Sequence, residues 1–154
     1  ETGKELVKHA ATSGHVEAVR LLLQAGVDKN CCCKDGAGGL ATAILSAVQG
    51  GHTEILRLLV EAGADLDMRD HHGRTALILA AGSGKTEIVR LLVEAGADKD
   101  LRDSFARTAL IAATHRGPSE ILRFLVDAGA DSDPQDSFGR TALMEAASKG
   151  QAEF

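Results

Sequence analysis

The sequence predicts an all-α solenoid of about four and a half stacked helix-turn-helix units, joined by finger loops of β-hairpin type. Three observations carry that expectation. One glycine recurs just before a helical run, as Gly14, Gly51, Gly84, Gly117 and Gly150, at spacings of 37, 33, 33 and 33. A second series, Gly26, Gly63, Gly96 and Gly129, keeps step at 37, 33 and 33. Aromatic residues are only 3% of the 154, with no Trp or Tyr, while 44% are apolar. The core is therefore built from Leu, Val, Ile and Ala, which suits closely packed helices better than a strand sandwich.

Each unit can be justified along the chain. Thr75-Ala76-Leu77, Thr108-Ala109-Leu110 and Thr141-Ala142-Leu143 each open a short Ala-rich segment. The threonine hydroxyl can accept from unpaired backbone N–H groups and so cap a first helix. Small residues such as Ala80 and Ala81 let a neighbouring helix approach closely, and Gly84 breaks the run. A second helix follows in the near-copies Glu54–Asp65, Glu87–Asp98 and Glu120–Asp131. Its Ile88, Leu91, Leu92 and Ala95 fall at i, i+3, i+4 and i+7, one buried stripe. Gly96 stops it where a positive φ is needed. A polar, turn-rich stretch then leads to the next unit. Such a unit cannot bury its apolar face alone, so it must stack on the next.

A period of 33 with two helices and a turn resembles the ankyrin repeat, and the resemblance covers essentially all 154 residues. It implies a single domain with units at about 1–30, 37–69, 70–102, 103–135 and 136–154. The family's usual Thr-Pro-Leu-His start stands here as Thr75-Ala76-Leu77-Ile78, Thr108-Ala109-Leu110-Ile111 and Thr141-Ala142-Leu143-Met144. Loss of that histidine is expected to loosen the fingers. The second unit reads Thr42-Ala43-Ile44-Leu45. The family's Gly-His survives as Gly14-His15 and Gly51-His52 and becomes Gly84-Lys85 and Gly117-Pro118. The fifth unit stops at Phe154 as its second helix would begin, so Phe124 and Leu125 are expected to lose cover. The first junction is four residues longer than the others, and its stretch 31–39 is rich in glycine, which predicts an irregular extended loop.

Composition bounds the function. Charged residues are 25% and the net charge is -5, which argues against a binder that coats nucleic-acid phosphates. No apolar run approaches the roughly 18 residues of a membrane helix, so no direct membrane insertion is expected. No basic-then-apolar start resembles a secretory leader. The three cysteines are consecutive, Cys31, Cys32 and Cys33, with no distant partner, which fits reduced thiols and an intracellular, cytoplasmic setting.

Chemical motifs weigh little. Leu79–Thr86 resembles the end of a phosphate-binding loop, but the first required glycine is Leu79 and the preceding segment is helical. Cys31 to Cys33 lack the spacing that lets cysteines converge on zinc, and His71 and His72 lie one unit away. No nucleophile, base and orienter form a catalytic set. No catalytic, cofactor or metal residues are therefore assigned, and the expectation is a protein that is not an enzyme. Glu54/Arg57, Glu87/Arg90 and Glu120/Arg123 form i,i+3 pairs on the second helices, a solvated outer face.

The finger tips say more. His72, Phe105 and Phe138 occupy one repeat position, and Arg74, Arg107 and Arg140 another two residues on. Stacking aligns them as two rows. Phe and Arg favour interface centres. The alternative is that the aromatics pack between fingers and the Arg rows pair with Asp70, Asp103 and Asp136. In the ankyrin family, partners usually meet the fingertips and the concave face. Carried over, that surface comprises His71, His72, Arg74, Ser104, Phe105, Arg107, Ser137, Phe138 and Arg140, with Gln49, Ser83, His115, Arg116 and Lys149 from the inter-helix turns. The implied function is non-catalytic protein–protein recognition on a rigid platform, the partner being a protein. The alternatives are a structural subunit or fragment of a larger assembly, and a regulatory ankyrin segment of an enzyme or channel.

Overall fold

Capping threonines set the pitch of the chain. The computed structural model describes residues 2–30, 33–34 and 40–150. The order is α1 (Thr2–Ser13), α2 (Val16–Gln24), β1 (Cys33–Lys34), β2 (Leu40–Ala41), α3 (Ala43–Gly50), α4 (Thr53–Glu61), α5 (Ala76–Gly82), α6 (Thr86–Glu94), α7 (Ala109–Arg116), α8 (Ser119–Asp127) and α9 (Ala142–Ser148). Thr42, Thr75, Thr108 and Thr141 are extended and sit at the N-caps of α3, α5, α7 and α9. Their hydroxyls accept from the backbone N–H of Leu45, Ile78, Ile111 and Met144 at 3.3–3.4 Å. Each cap is worth about 1 kcal/mol.

The second helices end on glycine. Gly26, Gly63, Gly96 and Gly129 hold φ of 77°, 71°, 90° and 81°. At Gly63 the turn closes with Gly63 N–H donating to Val60 O at 2.8 Å and Ala64 N–H to Leu59 O at 2.9 Å. That pattern satisfies carbonyls a helix end leaves open.

Two layers result. The first helices α1, α3, α5, α7 and α9 stack in order, and the second helices α2, α4, α6 and α8 form the other layer. Ala43, Ala76 and Ala109 are buried between stacked first helices, where a larger side chain would hold the backbones apart. Ile44, Leu77, Leu110, Ile55, Leu92 and Leu122 fill the space between layers. The expected stripe of α6 is buried at Ile88, Leu91 and Leu92, but Ala95 is exposed at the C-cap and Val89 is buried instead. The buried arc is wider than a single stripe because α6 packs against α5, α4 and α8 at once. Leu125 is fully buried, against the expectation that it loses cover, because α8 already packs on α6 and α7. Phe124 is half-buried with the Arg90 guanidinium 4.8 Å from its ring centre.

Two differences from the sequence reading are informative. The long junction carries a short antiparallel ladder, Cys33 opposite Ala41 and Lys34 opposite Leu40, where an irregular loop was expected. Residues 31–32 and 35–39, with most of the irregular-loop expectation, lie outside the described residues. On the outer layer, Arg57 reaches Glu87 at 3.5 Å and Arg90 reaches Glu120 at 2.8 Å. The charges thus join successive helices where pairing within one helix was expected. Being exposed, each such pair contributes at most about 1 kcal/mol.

The fingers turn on a left-handed residue, Gly73 at φ 71° and Gly139 at φ 73°. The equivalent place in the middle finger is Ala106, at φ 58°. An L-residue there is strained by about 1–2 kcal/mol, while glycine loses about 0.5–1 kcal/mol more backbone entropy on folding. Ala106→Gly is therefore expected to raise stability by about 0.5–1 kcal/mol in urea unfolding. A destabilised variant would show that the alanine is not strained.

Candidate partner-binding surface

Three of the fingers are each built around a buried carboxylate. Asp70, Asp103 and Asp136 are buried, and their Oδ1 atoms each accept two backbone N–H groups from the turn that follows. Asp103 takes Phe105 N–H at 2.9 Å and Arg107 N–H at 3.0 Å. The Oδ2 atoms take the arginine row. Arg74 Nη2 lies 2.6 Å from Asp70, Arg107 Nη2 2.7 Å from Asp103, and Arg140 Nη2 2.9 Å from Asp136. Each Nε donates to the same oxygen, at 2.8, 2.9 and 3.2 Å.

The carboxylates respond to this setting. Burial alone would push Asp70 up, but the guanidinium of Arg74 and the N–H groups of Arg74 and His72 outweigh it and hold it below the usual value. Asp136 is likewise raised by burial and lowered further by Arg140 N–H, the Arg140 guanidinium and Phe138 N–H, with a net downward result.

The two rows thus part company. The arginines brace their own fingers, as one of the two sequence readings held. The phenylalanines stand out: Phe105 is 48% and Phe138 72% exposed. Each lies under its own arginine, with guanidinium to ring-centre distances of 5.0 and 4.9 Å. In the preceding finger His72 takes the place of Phe, its ring centre 3.9 Å from that of His71. Both histidines are exposed. Ser104 and Ser137 are exposed too, and their N–H groups donate to His72 O and Phe105 O at 2.9 Å. The fingers are therefore hydrogen-bonded to one another.

Below the fingers, between α5 and α7, lies a cleft of about 390 Å³. Arg74, Arg107, His115 and Arg116 come together on its walls. Ile78, Leu79 and Ala112 supply apolar lining. Phe105, Phe138 and Arg140 are not part of it.

His115 is held as a neutral imidazole. Its Nδ1 lies 3.1 Å from Lys149 Nζ, which also donates to Thr114 O at 3.0 Å. Burial first, then the Lys149 charge, pushes its pKa below the ordinary value, against the pull of Glu145. An ammonium can only donate, so Nδ1 accepts and the ring proton sits on Nε2.

Glu145 is the residue sequence reasoning missed. It is buried in α9, paired with Arg140 and with Lys149 at 3.4 Å. The available signal was a charge at a repeat position that holds Ser46, Leu79 and Ala112 elsewhere. Lys85, from the phosphate-loop-like segment, donates to Val48 O at 2.6 Å and Gln49 O at 2.7 Å. It caps the end of α3, and the segment itself is an inter-helix turn.

Among the described residues, no group of three His, Cys, Asp or Glu side chains comes together for a metal ion. Cys31, Cys32 and the side chain of Cys33 lie outside that description. No helix among the described residues is long and apolar enough to cross a membrane. No curated protein matches the chain. The family model "Ankyrin repeats (3 copies)" matches residues 6–103 and 86–154. With that match over a solenoid of stacked helix pairs and linked fingers, the chain belongs to the ankyrin-repeat family.

Proposed function

We propose that this chain is a non-catalytic protein-recognition module that holds a partner protein on its fingertips and concave face. Ankyrin repeats are generally protein–protein interaction modules. The observation that carries the reading here is the exposed pair Phe105 and Phe138 on fingers already tied by buried aspartates. Rings braced before binding lose little conformational entropy when a partner covers them. His71, His72, Ser104 and Ser137 flank them, Arg107 and Arg140 act chiefly by holding the rings in place, and Arg74 braces its own finger.

The test is selection of binders from a displayed peptide library, followed by affinity measurement on the double variant Phe105→Ala/Phe138→Ala. The rings are surface groups, so thermal unfolding is expected to stay within about 1 °C. Affinity is expected to fall at least about ten-fold. Binders of unchanged affinity, or no binders at all, would overturn the fingertip reading.

One observation favours the structural-subunit reading. At the α1/α2 end, Leu6 is 53% and Leu21 62% exposed, where the equivalent Ala43, Ala76 and Leu91 of later pairs are buried. A chain serving that role would self-associate in sedimentation, and a concentration-independent monomer would remove its support.

A further inference from the structure

We infer that the cleft between α5 and α7 is a carboxylate-binding subsite, which takes an acidic side chain from an extended acidic segment of the partner, and that Arg116 selects it. The inference rests on the recognition-module reading and adds the chemistry of the partner.

Charge carries the argument. The chain has a net charge of -5, yet the cleft is lined by three arginines and a histidine, and no Asp or Glu among the described residues lines it. The cations are not equivalent. Arg74 and Arg107 hold their aspartates through the Nε and Nη2 edge, so most of their charge is answered within the protein. Glu145, a buried acid of α9, is answered by Arg140 and Lys149. Arg116 is exposed in the last turn of α7, and its side chain has no ion pair or hydrogen bond among the described residues. Its guanidinium can therefore meet a carboxylate in the bidentate manner without giving up an existing contact.

The rest of the lining fits the same group. His115 keeps Nε2–H as a neutral donor, because Lys149 occupies Nδ1. Ile78, Leu79 and Ala112 offer apolar surface to the methylenes of a glutamate. A nucleic acid fits poorly, because its phosphates need a continuous basic track, and outside the cleft Arg20, Arg57 and Arg90 are each paired with a glutamate.

The experiment is amide NMR of the whole chain titrated with acetylated hexaglutamate, hexaglutamine serving as control. Shifts are expected at the amides of Gly82, Ser83, Arg107, His115 and Arg116, and to be screened out at about 1 M salt. Arg116→Glu is expected to weaken the response at least about five-fold. Arg116→Gln, which is milder at a helix end, is expected to give a smaller loss at unchanged melting temperature. Arg20→Glu, on α2 beside Glu17, is expected to leave it intact. Shifts elsewhere, an equal response in Arg116→Glu, no shifts, or a stronger response to a short oligodeoxynucleotide would overturn the inference.

The two readings fail separately. If hexaglutamate is silent while selected peptides still depend on Phe105 and Phe138, the subsite falls and the fingertip reading stands. If hexaglutamate shifts the cleft while selected peptides ignore the phenylalanines, the reverse holds.

Discussion

Asp103→Ala is expected to lower stability by about 3 kcal/mol. The Asp103 side chain is fully buried and accepts from Phe105 N–H, Arg107 N–H and the Arg107 guanidinium. Removing the acceptor leaves two backbone donors unpaired, at about 1–3 kcal/mol each where water cannot replace it. Breaking a fully buried ion pair costs about 3–5 kcal/mol. The two ranges count the same lost acceptor and do not add, and Arg107 is 27% exposed and can turn partly to water, which places the loss at about 3 kcal/mol. Ser137 N–H donates to Phe105 O, so the neighbouring finger should loosen as well. Urea unfolding, with Arg107→Ala and the double variant, checks this. A loss under about 1 kcal/mol would mean the turn holds itself without its carboxylate.

Leu110→Ala is expected to cost a similar amount, about 3 kcal/mol within a usual range of 2–5. Leu110 is fully buried in α7, which packs on α5, α8 and α9. Repeats touch only their neighbours, so the damage is local before it is global. The α9 end should detach first, seen as a lower denaturant slope and early amide exchange in 142–148. An unchanged slope with all amides exchanging together would show that the array unfolds as one unit.

Much of the fold was legible because its signals are local. A threonine hydroxyl caps the N–H three residues on, and a glycine at positive φ closes its own helix. These events are complete within a few residues, so a repeat of them announces the architecture. The surface rows were legible for the same reason, since Phe105 and Phe138 hold one repeat position. The wider buried arc of α6, the ladder at Cys33 and Leu40, and the outer bonds from Arg57 to Glu87 and Arg90 to Glu120 were not. Those depend on neighbours 30 residues away along the chain for the ion pairs.

The role of each arginine shows where the division falls. Periodicity alone placed Arg74, Arg107 and Arg140 in a row and set Arg116 in a turn. It could not tell a spent charge from an available one. Asp70, Asp103 and Asp136 become buried acceptors only when the fingers fold over them, and burial strengthens their hold on the first three. The Arg116 guanidinium stays unanswered because α7 ends at the cleft with no acid on its walls among the described residues. Backbone pattern is a property of neighbouring residues. The availability of a charge is a property of what the folded chain brings within a few ångströms of it, and of how much water is left there.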